Sequence, residues 1–246
     1  MPSKSQEVIF QNDIIQALAN QGWEVGEDKH YDKARALYPD DLFSYVKLTH
    51  PQQWQKLSSF HKDPEEAFLK AVVRDLENPN KGTLWVLRNK VVDRGAKFSL
   101  CAFKPDHDLN PDATARYQQN ILRVVPEVVY SPYADDSPKY TNKKAAKNWR
   151  IDLVLFINGF PIATLELKSE FKQSIENAKI QYMKDRLPRD PVTKKPEPLL
   201  TFKRGALVHF AVSQNNVAMT TKLDGHKTFF LPFDQGTSDG GSGNDI

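Results

Sequence analysis

Asp152 is followed, thirteen residues on, by the run Glu166-Leu167-Lys168. Two carboxylates and one backbone carbonyl, that of Leu167, make a set of hard oxygen donors suited to a divalent cation such as magnesium. A cation held this way activates water and offsets negative charge on a phosphate under attack. Side chains two apart on a strand point the same way, so Lys168 is expected beside Glu166, where its ammonium can orient the attacking water or neutralise developing charge. The bare triplet occurs by chance in many sequences, and its setting gives it weight. Glu166 and Lys168 interrupt Ile162, Ala163, Leu165 and Leu167, and charged residues are seldom buried unless paired or bound to metal. A purely structural Glu166–Lys168 or Asp152–Lys168 ion pair is the plainer alternative. Two acids and one lysine leave a surplus negative charge that a cation would complete.

The elements that must position these groups are a hairpin and two helices. RIDLVLFI and PIATLELK read as strands joined at Asn158-Gly159, a pair suited to a tight β-turn. A strict two-residue hairpin pairs Ile157 with Phe160 and sets Asp152 opposite Leu165, which leaves Glu166 on the other face. For Asp152 and Glu166 to share a cation the register must slip by one, through a bulge near Pro161, whose nitrogen cannot donate to the ladder. Both faces of the first run are apolar, as in a central strand covered on two sides.

Residues 8 to about 20 are predicted as an amphipathic helix stopped near Gly22, with Glu7 at the head of its core-facing stripe. An acid there either faces inward or serves the helix dipole. A second helix is expected from about 170 to 186, with Ile175, Ala178 and Tyr182 toward the sheet and Asn177, Gln181 and Asp185 on another stripe. Gln181 is a candidate contact to nucleic acid or to the site; solvated surface is the alternative. Between 24 and about 80 the chain is expected to be partly helical, with Asp63-Pro64-Glu65-Glu66 a strong helix start. GTLWVLR (82–88), KFSLCAF (97–103), RVVPEVVY (123–130) and ALVHFAVS (206–213) read as strands, and FKPDHDLNPDATARY as a turn region.

Net charge is +3, with 34 Lys and Arg against 31 Asp and Glu, too small a surplus to establish nucleic-acid binding. Its distribution says more. Lys139, Lys143, Lys144, Lys147 and Arg150 crowd the approach to the Asp152 strand, and beside two carboxylates they make phosphate binding a serious alternative to a solvated loop. Hydrophobic residues at 39% and charged residues at 26% exclude a disordered chain. No apolar run reaches the roughly 18 residues of a spanning helix, and the N-terminus lacks a signal-peptide core, so a cytoplasmic protein is expected. Cys101, the single cysteine, reads as a buried structural thiol and His209 as a core histidine, while the six scattered histidines give no zinc spacing.

The segment NWRIDLVLFINGFPIATLELKSEF resembles the nuclease segment of the R (restriction/motor) subunit of type I restriction-modification enzymes, a variant of the PD-(D/E)xK motif. ALYPDD, GTLWVLR, FKPDHDLNP, the QYMKDR helix end, FKRGALVHFAVS, MTTKL and FFLPFDQG are similar to one subgroup of these subunits. The resemblance implies an α/β fold with a restriction-endonuclease-like core, a central mixed β-sheet flanked by helices. It implies Asp152 and Glu166 as magnesium ligands, Lys168 as the catalytic lysine and Glu7 as the first-helix acid of such nucleases. Ile151 replaces the motif's proline, Asp185 stands four residues after Gln181 where many relatives have tyrosine, and Gln11 stands where many have a second glutamate. DNA is the implied substrate, and methyltransferase and specificity subunits are the implied partners.

The expected organisation is an endonuclease domain over 1–235 and a Gly/Ser-rich linker over 236–246. The helicase-type motor, the only part with a use for ATP, is expected to lie outside this chain, which has no G-x-x-x-x-G-K-[ST]. Two other readings stay open: a non-catalytic DNA-binding or subunit-docking module, and a stand-alone repair or defence nuclease. A carboxylate-pair glycosidase fits less well, since the lysine beside Glu166 and the basic approach suit phosphate.

Overall fold

A computed structural model describes residues 3–107, 109–134, 149–169 and 175–236, with the backbone alone for 3–5. Lys139, Lys143, Lys144, Lys147 and the 237–246 part of the expected linker lie outside the described residues. The chain is a mixed α/β protein whose seven-stranded sheet is flanked by helices. The strands are β1 (Glu24–Val25), β4 (Leu122–Val129), β5 (Arg150–Ile157), β6 (Phe160–Lys168), β7 (Val208–Ser213), β8 (Val217–Thr220) and β9 (Leu231–Pro232), in that spatial order. β1 runs parallel to β4 and β6 parallel to β7, and the other pairs are antiparallel.

The helix α1 (Ser3–Ala19) covers one face of the sheet. Its Phe10, Ile14, Ile15 and Leu18 pack on Val124, Leu153, Leu165 and Leu167, a stripe at helical spacing meeting strand residues at spacing two. The helix after β6 is the seventh α-helix among the described residues, α7 (Ile175–Asp185), and lies on the other face. As expected, its Ala178 and Tyr182 are buried, and Tyr182 shares a core with Val125, Val154 and Phe156.

Residues 39–99 build a third core of their own. α2 (Pro39–Thr49), α3 (Pro51–Phe60) and α4 (Pro64–Leu76) surround Phe68, which meets Phe98 edge to face at 4.9 Å between ring centres. α4 starts as its sequence demands, the Asp63 carboxylate accepting the Glu66 N–H at 3.0 Å. One expectation fails here and another holds only in part. GTLWVLR is not a strand: Thr83–Arg88 is a helix, α5. Thr83, Val86 and Leu87 are its buried residues, a helical spacing that a segment of six residues does not separate from a strand. Thr83 anchors the start, its hydroxyl donating to the Arg204 and Gly205 carbonyls at 2.7 and 2.9 Å. KFSLCAF contributes only part of β3 (Ala96–Ser99), which pairs with β2 (Lys90–Asp93) away from the main sheet. The expected turn region also holds a short helix, α6 (Pro111–Gln118), capped by the Asn110 side chain.

The β5–β6 hairpin carries the register that matters. Asn158 and Gly159 adopt φ of 49° and 83°, both left-handed, as a type I′ turn requires. A side chain at Gly159 would meet the Tyr38 carbonyl at 2.4 Å. Ile157 faces Phe160 and Phe156 faces Pro161, but Leu155 then faces Ala163, so Ile162 is an extra residue in β6. The freed Ile162 carbonyl is not wasted; it accepts the Leu207 N–H at 3.1 Å as β7 begins. Beyond the bulge Leu153 faces Leu165, which sets Asp152 opposite Glu166.

A carboxylate–lysine centre at the end of the sheet

Strand register brings the two acids together, and their neighbours decide how each is held. Asp152 is half-buried, and its Oδ2 accepts the Leu167 N–H at 2.6 Å. No hydrogen bond among the described residues engages the other oxygen. Glu166 is fully buried; its Oε1 takes the Arg186 Nε–H at 2.6 Å and its Oε2 has no partner. An orphaned buried carboxylate oxygen is costly unless a proton or a cation completes it. Burial pushes Asp152 up to about 6, against the pull of Lys168 and the Leu167 N–H. It pushes Glu166 up to about 8, although Arg186 pulls the other way.

Lys168 departs from the expected geometry. It stands two residues after Glu166, yet its Nζ donates to Glu7 Oε1 of α1 at 2.7 Å and to the Leu167 carbonyl at 2.8 Å. Glu166 meanwhile turns toward the end of α7. The ammonium thus sits on the carbonyl that was expected to serve as a cation ligand. Glu7 does face the site rather than the helix dipole, and Gln11, one turn further on, is buried there as well. Its Nε2 donates to the Asp152 carbonyl at 2.8 Å and reaches Glu127 Oε1 at 3.4 Å.

Oxygen donors dominate the centre, as a hard divalent cation requires. Among the described residues no three His, Cys, Asp or Glu side chains converge on one metal position, so a cation here would rest on the Asp152 and Glu166 carboxylates and the Leu167 carbonyl. The unpartnered Glu166 Oε2 fits that role.

Two residues of the centre went unnoticed in the sequence. Glu127 lies across from Asp152 between the pairs Pro126–Leu153 and Val128–Ile151, with φ of 54°. Its signal was an exposed acid following a proline inside an apolar strand. Arg186, just beyond α7, is only 2% exposed and binds Glu166. It belongs to the QYMKDR block, but a cation at a helix end normally reads as a dipole partner in solvent.

The other candidates are spread more widely. Arg150 is exposed at the start of β5 and its Nη1 donates to the Glu127 carbonyl at 2.9 Å, which ties it to the edge of the centre. Gln181 is half-buried between exposed Asn177 and Asp185, and among the described residues its side chain makes no hydrogen bond to Asp152, Glu166 or Lys168. His209 is a core residue as expected, its Nδ1 2.7 Å from Thr164 Oγ1, and burial pushes it down to about 3. Cys101 is half-buried and free, and burial pushes its thiol up to about 11. Among the described residues no helix is long and apolar enough to cross a membrane.

A family model described as the type I restriction enzyme R protein N terminus matches residues 3–228. No curated protein matches the chain. The match spans nearly the whole sequence, and the chain belongs to this family.

Proposed function

We propose that this type I restriction enzyme R protein N terminus carries a DNA-cutting centre, a magnesium-dependent endonuclease site of the PD-(D/E)xK kind on a restriction-endonuclease-like core. One observation carries the reading: the extra Ile162 sets Asp152 across from Glu166, at the end of the sheet where Lys168 and Glu7 also converge. Asp152, Glu166 and the Leu167 carbonyl would hold the ion, which when bound supplies Lewis-acid stabilisation of the phosphate and a more acidic water.

The chain's own groups do the rest. The Leu167 N–H fixes one oxygen of Asp152, so the other is presented in a set direction. Glu7 holds the Lys168 side chain beside the centre, poised to hydrogen-bond an attacking water or a phosphate oxygen. Gln11 anchors the Asp152 backbone to α1, so the two carboxylates are carried by a sheet braced on both faces. Arg150, with Lys143, Lys144 and Lys147, would grip backbone phosphates on the approach, and Gln181 would contact the duplex further along α7. Such contacts are indifferent to sequence. Recognition would then fall to the specificity and methyltransferase subunits of a cytoplasmic restriction complex, and ATP use to motor domains.

A second reading, a docking module with a nuclease-like fold, draws on the engagement of Glu166 by Arg186 and of the Leu167 carbonyl by Lys168. The two separate in the assembled enzyme on plasmid DNA. Glu166→Ala is expected to abolish cleavage while leaving the fold intact, and wild-type cleavage is expected to stop when magnesium is chelated. Cleavage retained by Glu166→Ala would rule out the nuclease centre proposed here.

A further inference from the structure

Arg186, at the end of α7, is a cation buried against the proposed ligand set. Three of its guanidinium contacts bear on that set. Nε donates to Glu166 Oε1 at 2.6 Å, Nη2 donates to the Arg150 carbonyl, and the group lies 5.8 Å from the centre of the Tyr130 ring. Tyr130 is itself tied to the end of α7, its hydroxyl donating to the Asp185 carbonyl at 3.2 Å. The planar fork therefore spans β6, through Glu166, and β5, two residues before Asp152. A guanidinium fixes such a geometry because its donors are rigidly disposed, which an ammonium cannot do.

We propose that Arg186 is a positioning residue for the cation site: by holding Glu166 Oε1 and the Arg150 carbonyl together it leaves Oε2 alone for the cation and fixes the spacing of Glu166 and Asp152. The inference rests on the nuclease reading above. A structural ion pair explains why Oε1 is bonded, but it does not account for the bare Oε2 beside it. Outer-shell partners that orient a ligand commonly change metal affinity about 10- to 100-fold when removed. Arg186 holds its ligand from just beyond a helix that contributes no proposed ligand of its own.

The test is Mn²⁺ binding to the chain by titration calorimetry, with the Mn²⁺ paramagnetic resonance spectrum recorded in parallel, for wild type, Asp152→Asn, Arg186→Lys and Arg186→Met. Binding by wild type that Asp152→Asn loses supports the nuclease site on its own. Given that, the expected result is about tenfold weaker Mn²⁺ binding in Arg186→Met, with an altered spectrum. Arg186→Lys should recover only part of the affinity, because charge returns without the fork. A folded variant of either kind that binds Mn²⁺ as wild type does overturns the role of Arg186 and leaves the nuclease site standing. Loss of fold in both variants assigns Arg186 to stability alone and overturns the proposal equally. Wild type indifferent to Mn²⁺ at millimolar concentration removes both readings.

Discussion

Asp152 and Glu166 are acids drawn out of water, and the direction of their shifts fixes how the chain must respond to pH. Their ordinary values are 3.8 and 4.5, and in the fold they rise to about 6 and about 8. Between about pH 4 and pH 8 the folded chain thus holds more protons than the unfolded one, so stability falls as pH rises through that window. Glu197, pushed up to about 7 by burial, adds to the fall, while His209, pushed down to about 3, opposes it below pH 6.5. The informative quantity is therefore a difference. Asp152→Asn should raise the metal-free melting temperature at pH 8 relative to wild type, while removing any gain from magnesium. Wild type should gain more from magnesium at pH 8 than at pH 5, because ligation needs ionised carboxylates. Scanning calorimetry at the two pH values checks both. Lys168→Ala, which leaves the carboxylates alone, is expected to cut cleavage by about 100-fold or more if the ammonium serves the reacting phosphate. At this scale Asp152, Glu166, Lys168 and Glu7 were legible because charge stands out in apolar strands and at the head of an apolar stripe. Arg186 and Glu127 were not, since their partners lie 20 and 25 residues away, across contacts that only the fold creates.

The bulge at Ile162 is what makes an element into part of a site. Deleting Ile162 would leave Asp152 opposite Glu166, because Ala163 already faces Leu155; inserting one alanine after Ile162, with a one-residue bulge kept, would instead set Asp152 opposite Leu165 and turn Glu166 away. The expected outcome of the insertion is a folded chain that has lost magnesium-dependent stabilisation, read by melting with and without the ion. Asn158 holds the turn from inside. Its Oδ1 accepts the Ile121 N–H at 2.7 Å, and its Nδ2 donates to the Leu100 carbonyl at 3.0 Å and to Asn120 Oδ1 at 2.8 Å. Asn158→Ala removes these buried bonds and puts alanine at positive φ, at a cost of roughly 3 kcal/mol or more in urea denaturation. The need for a bulge could be read from the sequence because period-two geometry leaves the two acids on opposite faces without one. The type of α5 could not, because a run of four apolar residues fits either period and the deciding contact, Thr83 to the Arg204 and Gly205 carbonyls, comes from 121 and 122 residues away.

At the scale of the molecule, two helices brace one sheet while residues 39–99 form a separate helical core that meets it at Phe160. Apolar residues three or four apart, with proline in the first turn of each of α2, α3 and α4 and the Asp63 cap of the last, made that region legible as helical. Its pairing with a two-stranded sheet apart from the main one depends on which apolar faces meet, and local pattern carries no such information. DNA affinity of the isolated chain is expected to be weak, sequence-indifferent and steeply salt-dependent, without ATP hydrolysis. Replacing Lys143, Lys144 and Lys147 together by Ala should lower the slope of log affinity against log salt by about 3, measured by filter binding.

Whether the Asp152–Glu166 pair holds a cation can be read in a crystal of the chain soaked in Mn²⁺, through the ion's anomalous signal. A peak is expected bounded by Asp152, Glu166 Oε2 and the Leu167 carbonyl, with the Lys168 ammonium moved off that carbonyl while Arg186 keeps hold of Oε1. Absence of a peak there at saturating Mn²⁺, with Lys168 still on the Leu167 carbonyl, would contradict such a site.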